Sequence, residues 1–138
     1  MKLLLSLVLF AAAALSAQTN PACPNATGPA PHCVVINWSA PTSGTVPTGY
    51  NVYTGGTTKG QCSSVTASSC TKIGSVTASV LTFTQNSSTT TMLTEGATYY
   101  YVLTSTNGTS ESVPSVEVSA VIPFLVPGSP AVPSAVAH

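Results

Sequence analysis

The side chains able to do acid–base, nucleophilic or metal chemistry in this 138-residue chain are few: Cys23, Cys33, Cys62, Cys70, His32, His138, Glu95, Glu111 and Glu117. A serine nucleophile needs a base that is itself held by an acid. His32 lies in a proline-rich segment and His138 is the last residue, so neither histidine is placed to serve. Glu111 and Glu117 share strand parity, but along a strand they stand about 20 Å apart, far too wide for a carboxylate pair. Glu95 reads as a turn residue. Gly55-Gly56 and Gly60 precede no helix, so no phosphate loop is formed. A zinc site built from the cysteines with His32 would lack the close Cys-x-x-Cys pairs such sites show. We therefore expect no catalytic residue, no metal and no cofactor.

The cysteines fit another chemistry. All four follow a segment that reads as an export signal: Met1-Lys2, an apolar run from Leu3 to Leu15, then Ser16-Ala17. The run is too short for a membrane span. Residues 1–17 are read as the signal, with cleavage after Ala17, and cleavage after Ala14 or Ser16 as the alternative. No later segment is apolar enough to cross a bilayer, so a secreted or cell-surface product is expected. An even cysteine count in an oxidising compartment suits disulfides. Four cysteines admit three connectivities; proximity favours Cys23–Cys33 and Cys62–Cys70.

Only 4% of the chain is charged, and it has neither arginine nor aspartate. Ordinary soluble domains carry about 25% charged residues. Past residue 17, Lys59 and Lys72 stand against Glu95, Glu111 and Glu117, one negative charge in excess. Such a surface forms no basic footprint for nucleic acid. Ser and Thr take the place of charge, which leaves little repulsion between molecules and tolerates close association. The same residues could carry O-linked sugar. Asn-x-Ser/Thr sites occur at Asn25, Asn37, Asn86 and Asn107.

The elements that must position these residues read as strands. Cys33 to Trp38 alternates, with Val34, Ile36 and Trp38 on one face and Val35 and Asn37 on the other. A loop from Ser39 to Gly49 leads to Tyr50–Tyr53, with Tyr50 and Val52 inward. Lys72–Val76 and Val80–Thr84 follow. Leu93, Gly96 and Tyr99 have the spacing of a tyrosine corner, in which Tyr99 bonds back across the turn. Tyr101, Leu103 and Ser105 then face inward. Asn107-Gly108 marks a hairpin, and Glu111–Ile122 reads as the last strand, with Val116, Val118, Ala120 and Ile122 on one face. Strands and turns at this spacing predict an all-β antiparallel sandwich.

The run Val34-Val-Ile-Asn-Trp-Ser-Ala-Pro41, then Thr48-Gly-Tyr-Asn-Val-Tyr53, Leu93-x-x-Gly96, Tyr99-x-Tyr-x-Leu-x-Ser-x-Asn107, Glu111-Ser112 and Pro114-Ser115 resembles a fibronectin type III domain. The resemblance covers roughly Pro31 to Pro123. It implies an immunoglobulin-like sandwich of about seven strands in two sheets, with Trp38, Tyr50, Leu93, Tyr99 and Tyr101 as structural residues rather than a sugar-stacking platform. Tyr53 and Tyr100, on the opposite face, are the aromatics expected at the surface.

Two segments depart from the pattern. Residues 18–31, where a first strand would lie, hold Pro21, Pro24, Pro29 and Pro31, so that strand is expected to be irregular or missing, and the edge beside Trp38's strand to lack its partner. Residues 124–138 form an apolar, proline-rich tail beyond the domain at 32–123. It is read as a disordered end, or as a strand that adds to a sheet edge of its own subunit or a neighbour. The expected role is that of an exported, non-enzymatic module in extracellular adhesion or assembly, associating with protein, itself included. The alternative is a soluble binding module presenting loops to extracellular carbohydrate or protein.

Overall fold

The computed structural model of the chain describes residues 16–18, 23, 32–88 and 92–124. The apolar run of the expected signal, most of the 18–31 segment and the tail beyond Phe124 lie outside the described residues. Seven strands are present among those described: β1 (Ser16–Gln18), β2 (Cys33–Asn37), β3 (Gly49–Gly56), β4 (Thr71–Thr77), β5 (Thr82–Asn86), β6 (Thr98–Thr106) and β7 (Val118–Val121). They form two antiparallel sheets, in the orders β1-β2-β5 and β4-β3-β6-β7. The protein is an all-β sandwich, and among the described residues no helix is long and apolar enough to cross a membrane.

The inward residues of both sheets meet in one core: Val34 and Ile36 from β2, Tyr50 and Val52 from β3, Tyr101 and Leu103 from β6, Ala120 from β7, joined by Trp38, Leu93 and Ile122. Tyr99 packs against this cluster from its margin. The period-two alternation of apolar residues on β2, β3 and β6 produces this layer directly. Trp38 and Tyr50 meet edge to face, with ring centroids 5.4 Å apart, the geometry that aromatic quadrupoles favour. At the base of the sandwich the Tyr99 hydroxyl donates to the Met92 carbonyl at 3.0 Å and accepts from the Thr94 N–H at 3.1 Å. Gly96 turns this corner with φ +75°, and the exposed Phe124 ring lies against it, where any Cβ would collide.

Several expectations need correction. The edge of β2 does have a partner: β1 pairs with it antiparallel through Ser16↔Val35, Ala17↔Val34 and Gln18↔Cys33. This strand straddles the point where cleavage was expected, with Ser16 and Ala17 in the expected signal and Gln18 opening the 18–31 segment, so cleavage after Ala17 would remove two of its three residues and leave the β2 edge open. β5 begins two residues later than the Val80–Thr84 reading because Val80 still closes a turn, its N–H bonded to the Thr77 carbonyl at 3.0 Å.

The last strand is shorter than Glu111–Ile122. Pro114 cannot donate, and two serines replace the interrupted ladder. Ser112 N–H donates to the Ser105 carbonyl (2.9 Å) while its Oγ accepts from the Ser105 N–H (3.0 Å). Ser115 treats Leu103 in the same way, at 2.7 and 2.9 Å. Three positions on one side thus span two on β6, which is a bulge, and Val116, expected to face inward, is 60% exposed.

Tyr53 is also corrected. It is buried, because residues 57–70 fold back over the outer face of its sheet. Tyr53, Cys62 and Val102 form a second apolar cluster there, with Val65 and Cys70 packed against it. The Cys62–Cys70 disulfide closes this loop, and Cys23–Cys33 ties the segment before β2 to that strand; no free cysteine remains among the described residues. Such bonds persist in oxidising compartments. Tyr100 is half-buried.

Candidate functional site

The outward face of the four-stranded sheet carries a polar row in register. Ser75 on β4, Asn51 on β3 and Thr104 on β6 stand directly opposite one another. The Ser75 hydroxyl donates to Asn51 Oδ1 at 2.7 Å. Asn51 Nδ2 donates in turn to Glu111 Oε1 at 2.8 Å, and the Tyr53 hydroxyl donates to the same oxygen at 2.7 Å. The Thr104 hydroxyl is a third donor to it. Glu111 sits where the 107–111 hairpin rejoins the sheet, bridged to Thr106, and its carboxylate folds back onto the row.

Partial burial alone would raise the Glu111 pKa. The hydrogen bonds from Thr104, Asn51 and Tyr53 and the positive charge of Lys72 outweigh it and hold the carboxyl below its ordinary value of 4.5. Tyr53 moves the other way: burial, then the neighbouring Glu111 carboxylate, push its hydroxyl up to about 12. An ionised acceptor facing neutral donors is a rigid staple between a loop and a sheet. A general acid needs the opposite tuning, a raised pKa.

The other two carboxylates act in the same manner. Glu117 Oε2 accepts from the Gly60 N–H at 2.8 Å, fixing the 57–70 loop. Glu95 lies 3.4 Å from Nε2 of His32, which is 1% exposed at the base of the sandwich. All three carboxylates of the chain thus join residues more than fifty positions apart. His32 and Glu111 occupy opposite ends of the molecule, and among the described residues no group of three or more His, Cys, Asp or Glu side chains could hold a metal.

A cleft opens at the Glu111 end, between the 39–48 loop and the hairpin, lined by Pro41, Gly44, Thr45, Pro47, Ser110 and Glu111. The hairpin side is firm: Asn107 Oδ1 accepts from Thr109 N–H, Thr109 Oγ1 and Ser110 N–H. Val46, 81% exposed, stands at the tip of the facing loop.

No family model and no curated protein matches this chain. The site is therefore read from its own geometry. Sequence reasoning placed Tyr50, Trp38, Leu93, Tyr99 and Tyr101 inside or at the margin of the core and the four cysteines in two local pairs, and the structure has them there. It missed the Glu111 staple, since nothing along the chain marks a glutamate as the acceptor for side chains some sixty residues away. A signal for the second cluster was present: β3 carries Tyr53 on the face opposite Tyr50 and Val52, and β6 carries Val102 opposite Tyr101 and Leu103. Apolar residues on both faces of two adjacent strands require a second cover. Of the Asn-x-Ser/Thr sites, Asn37 and Asn107 are exposed, Asn86 is half-buried, and Asn25 lies outside the described residues.

Proposed function

We propose that this chain is an exported, non-enzymatic β-sandwich module of the fibronectin type III kind that acts in extracellular adhesion or assembly. The observation that carries the reading is the internal use of charge. Each carboxylate is engaged by a residue of its own chain, so the outer surface is left mainly to neutral hydroxyls, with Lys59 and Lys72 exposed. Little then opposes contact between copies. The sheet orders, the Tyr99 corner and the Trp38–Tyr50 pair are consistent with the proposed family. Two local disulfides suit secretion.

The test is the size of the purified mature protein by light scattering across a wide concentration range. Growth of the mean mass with concentration, insensitive to salt, is the expected result. A constant monomer mass would overturn assembly. It would leave the second reading, a soluble module presenting its loops to carbohydrate or protein, which the cleft between the 39–48 loop and the hairpin favours.

A further inference from the structure

β2 is flanked by β5 on one side and by β1 on the other. Ser16 and Ala17 of β1 close the expected signal, so export strips two of its three pairs with β2, Ser16↔Val35 and Ala17↔Val34. The residues that remain do not restore them. Gln18 keeps one pair, with Cys33, and Pro21 and Pro24 follow closely; proline supplies no ladder donor. The flank so opened belongs to Cys33-Val-Val-Ile-Asn37, which has neither charge nor proline, two of the devices that ordinarily guard an edge.

The chain carries a replacement strand. Among the residues that follow the signal and lie outside the described ones, 134–138 is the longest run without proline or glycine. It reads Ser-Ala-Val-Ala-His, and it opens with the same dipeptide as β1, which reads Ser-Ala-Gln. Laid on β2 in the register of β1, Ser134 stands opposite Val35, Ala135 opposite Val34 and Val136 opposite Cys33. Valine in the place of Gln18 is the better strand residue.

We propose that residues 134–138 of a second copy pair with the opened edge of β2, antiparallel and in the register that β1 holds, by strand addition. Such pairing rests on the assembly reading above and on cleavage after Ala17. The direction of the strand selects a neighbour over the chain's own tail. β2 leaves the base of the sandwich at Cys33, next to the contact of His32 with Glu95, and Phe124 lies at the same base against Gly96. A strand antiparallel to β2 runs back toward that base. The chain's own tail would have to climb past the edge and double back within residues 125–133, which hold Pro127, Pro130 and Pro133. One proline in three favours an extended, semi-rigid course, suited to carrying 134–138 out to another molecule. Donor strand and acceptor edge are different surfaces, so the contact is head to tail and propagates into an open chain of subunits unless rotation closes a ring.

The experiment takes the secreted mature protein, the variant Ala135→Pro, which breaks the donor strand, and a synthetic peptide of residues 131–138. Light scattering should show mass growing with concentration for the mature protein and a constant monomer mass for Ala135→Pro, with equal melting temperatures at low concentration. Added to the Ala135→Pro protein, the peptide should shift the backbone amide signals of Val34 and Val35 saturably, and the same peptide carrying Ala135→Pro should bind at least about tenfold more weakly. Undiminished growth of Ala135→Pro would overturn the pairing and leave assembly standing on another surface. A mature protein that stays monomeric would overturn both, and a melting temperature lowered by Ala135→Pro would then put the strand on its own chain. A peptide that moves neither signal, or an intact mass that starts at Leu15 and so retains β1, would overturn the pairing whatever the scattering shows.

Discussion

Three tyrosines separate what a buried hydroxyl contributes from what a ring contributes. The Tyr99 hydroxyl makes two bonds, to the Met92 carbonyl and from the Thr94 N–H. Both partners are exposed, so water can replace part of what Tyr99→Phe removes, and about 1 kcal/mol is the expected loss. Tyr50 and Tyr101 are buried, and among the described residues their hydroxyls have no partner. Tyr50→Phe and Tyr101→Phe should therefore be neutral or stabilising in urea melts. An equal cost for all three would show that the corner bonds contribute nothing. At Glu111 the prediction is one of pH. Its folded-state pKa lies below the ordinary 4.5, so its contribution is present above that value and is lost as pH falls through the depressed one. Glu111→Gln should lower the melting temperature at neutral pH and flatten its decline below about pH 4.5. Tyr53, raised to about 12, gives the mirror case: its share is full below pH 10 and fades as pH climbs toward 12.

At the scale of elements, the bulge before β7 rests on two serines. Ser115 Oγ accepts from the N–H of Leu103, a residue only 5% exposed. Ser115→Ala leaves that donor without its partner and should cost about 1–3 kcal/mol in a denaturant melt; Ser115→Thr, which keeps the hydroxyl, should recover most of it. The 57–70 loop gives a second prediction. Replacing Cys62 and Cys70 by alanine releases a closed loop worth up to about 3 kcal/mol and uncovers Tyr53. Faster quenching of tyrosine fluorescence by acrylamide should accompany the lower stability; a loss of stability with unchanged quenching would mean that the loop stays seated without its bond. β2, β3 and β6 were legible in the sequence because each alternates against one core. The corner was legible because Leu93, Gly96 and Tyr99 fix a turn by local spacing alone. The cover over Tyr53 was not, since its partners come from separate segments, Val102 on β6 and Val65 in the loop. The late start of the last strand was hidden for a related reason: serine side chains stand in for backbone groups at Ser112 and Ser115, and a hydrophobicity pattern does not register that exchange.

For the whole molecule, long-range order comes from the core, the strand ladders and three carboxylate staples. The disulfides play another part, since Cys23–Cys33 and Cys62–Cys70 are separated by only 10 and 8 residues. Contact across a ten-residue loop forms in about 10–100 ns, so the two thiols of each pair meet often in the unfolded chain, and neither bond needs the sandwich as a template. Oxidative refolding should give the native pairs at the earliest times at which any disulfide is detected, and crossed species such as Cys33–Cys62 would contradict this. The same locality has a mechanical consequence. Neither bond runs from one sheet to the other, so a load pulling the sandwich apart is carried by strand hydrogen bonds, apolar packing and the carboxylate staples. In single-molecule stretching, reduction of Cys62–Cys70 should lengthen the unravelled chain by the residues held in that loop and leave the rupture force where it was. The covalent clasps set how far the protein extends under tension, and the weak bonds set when it yields.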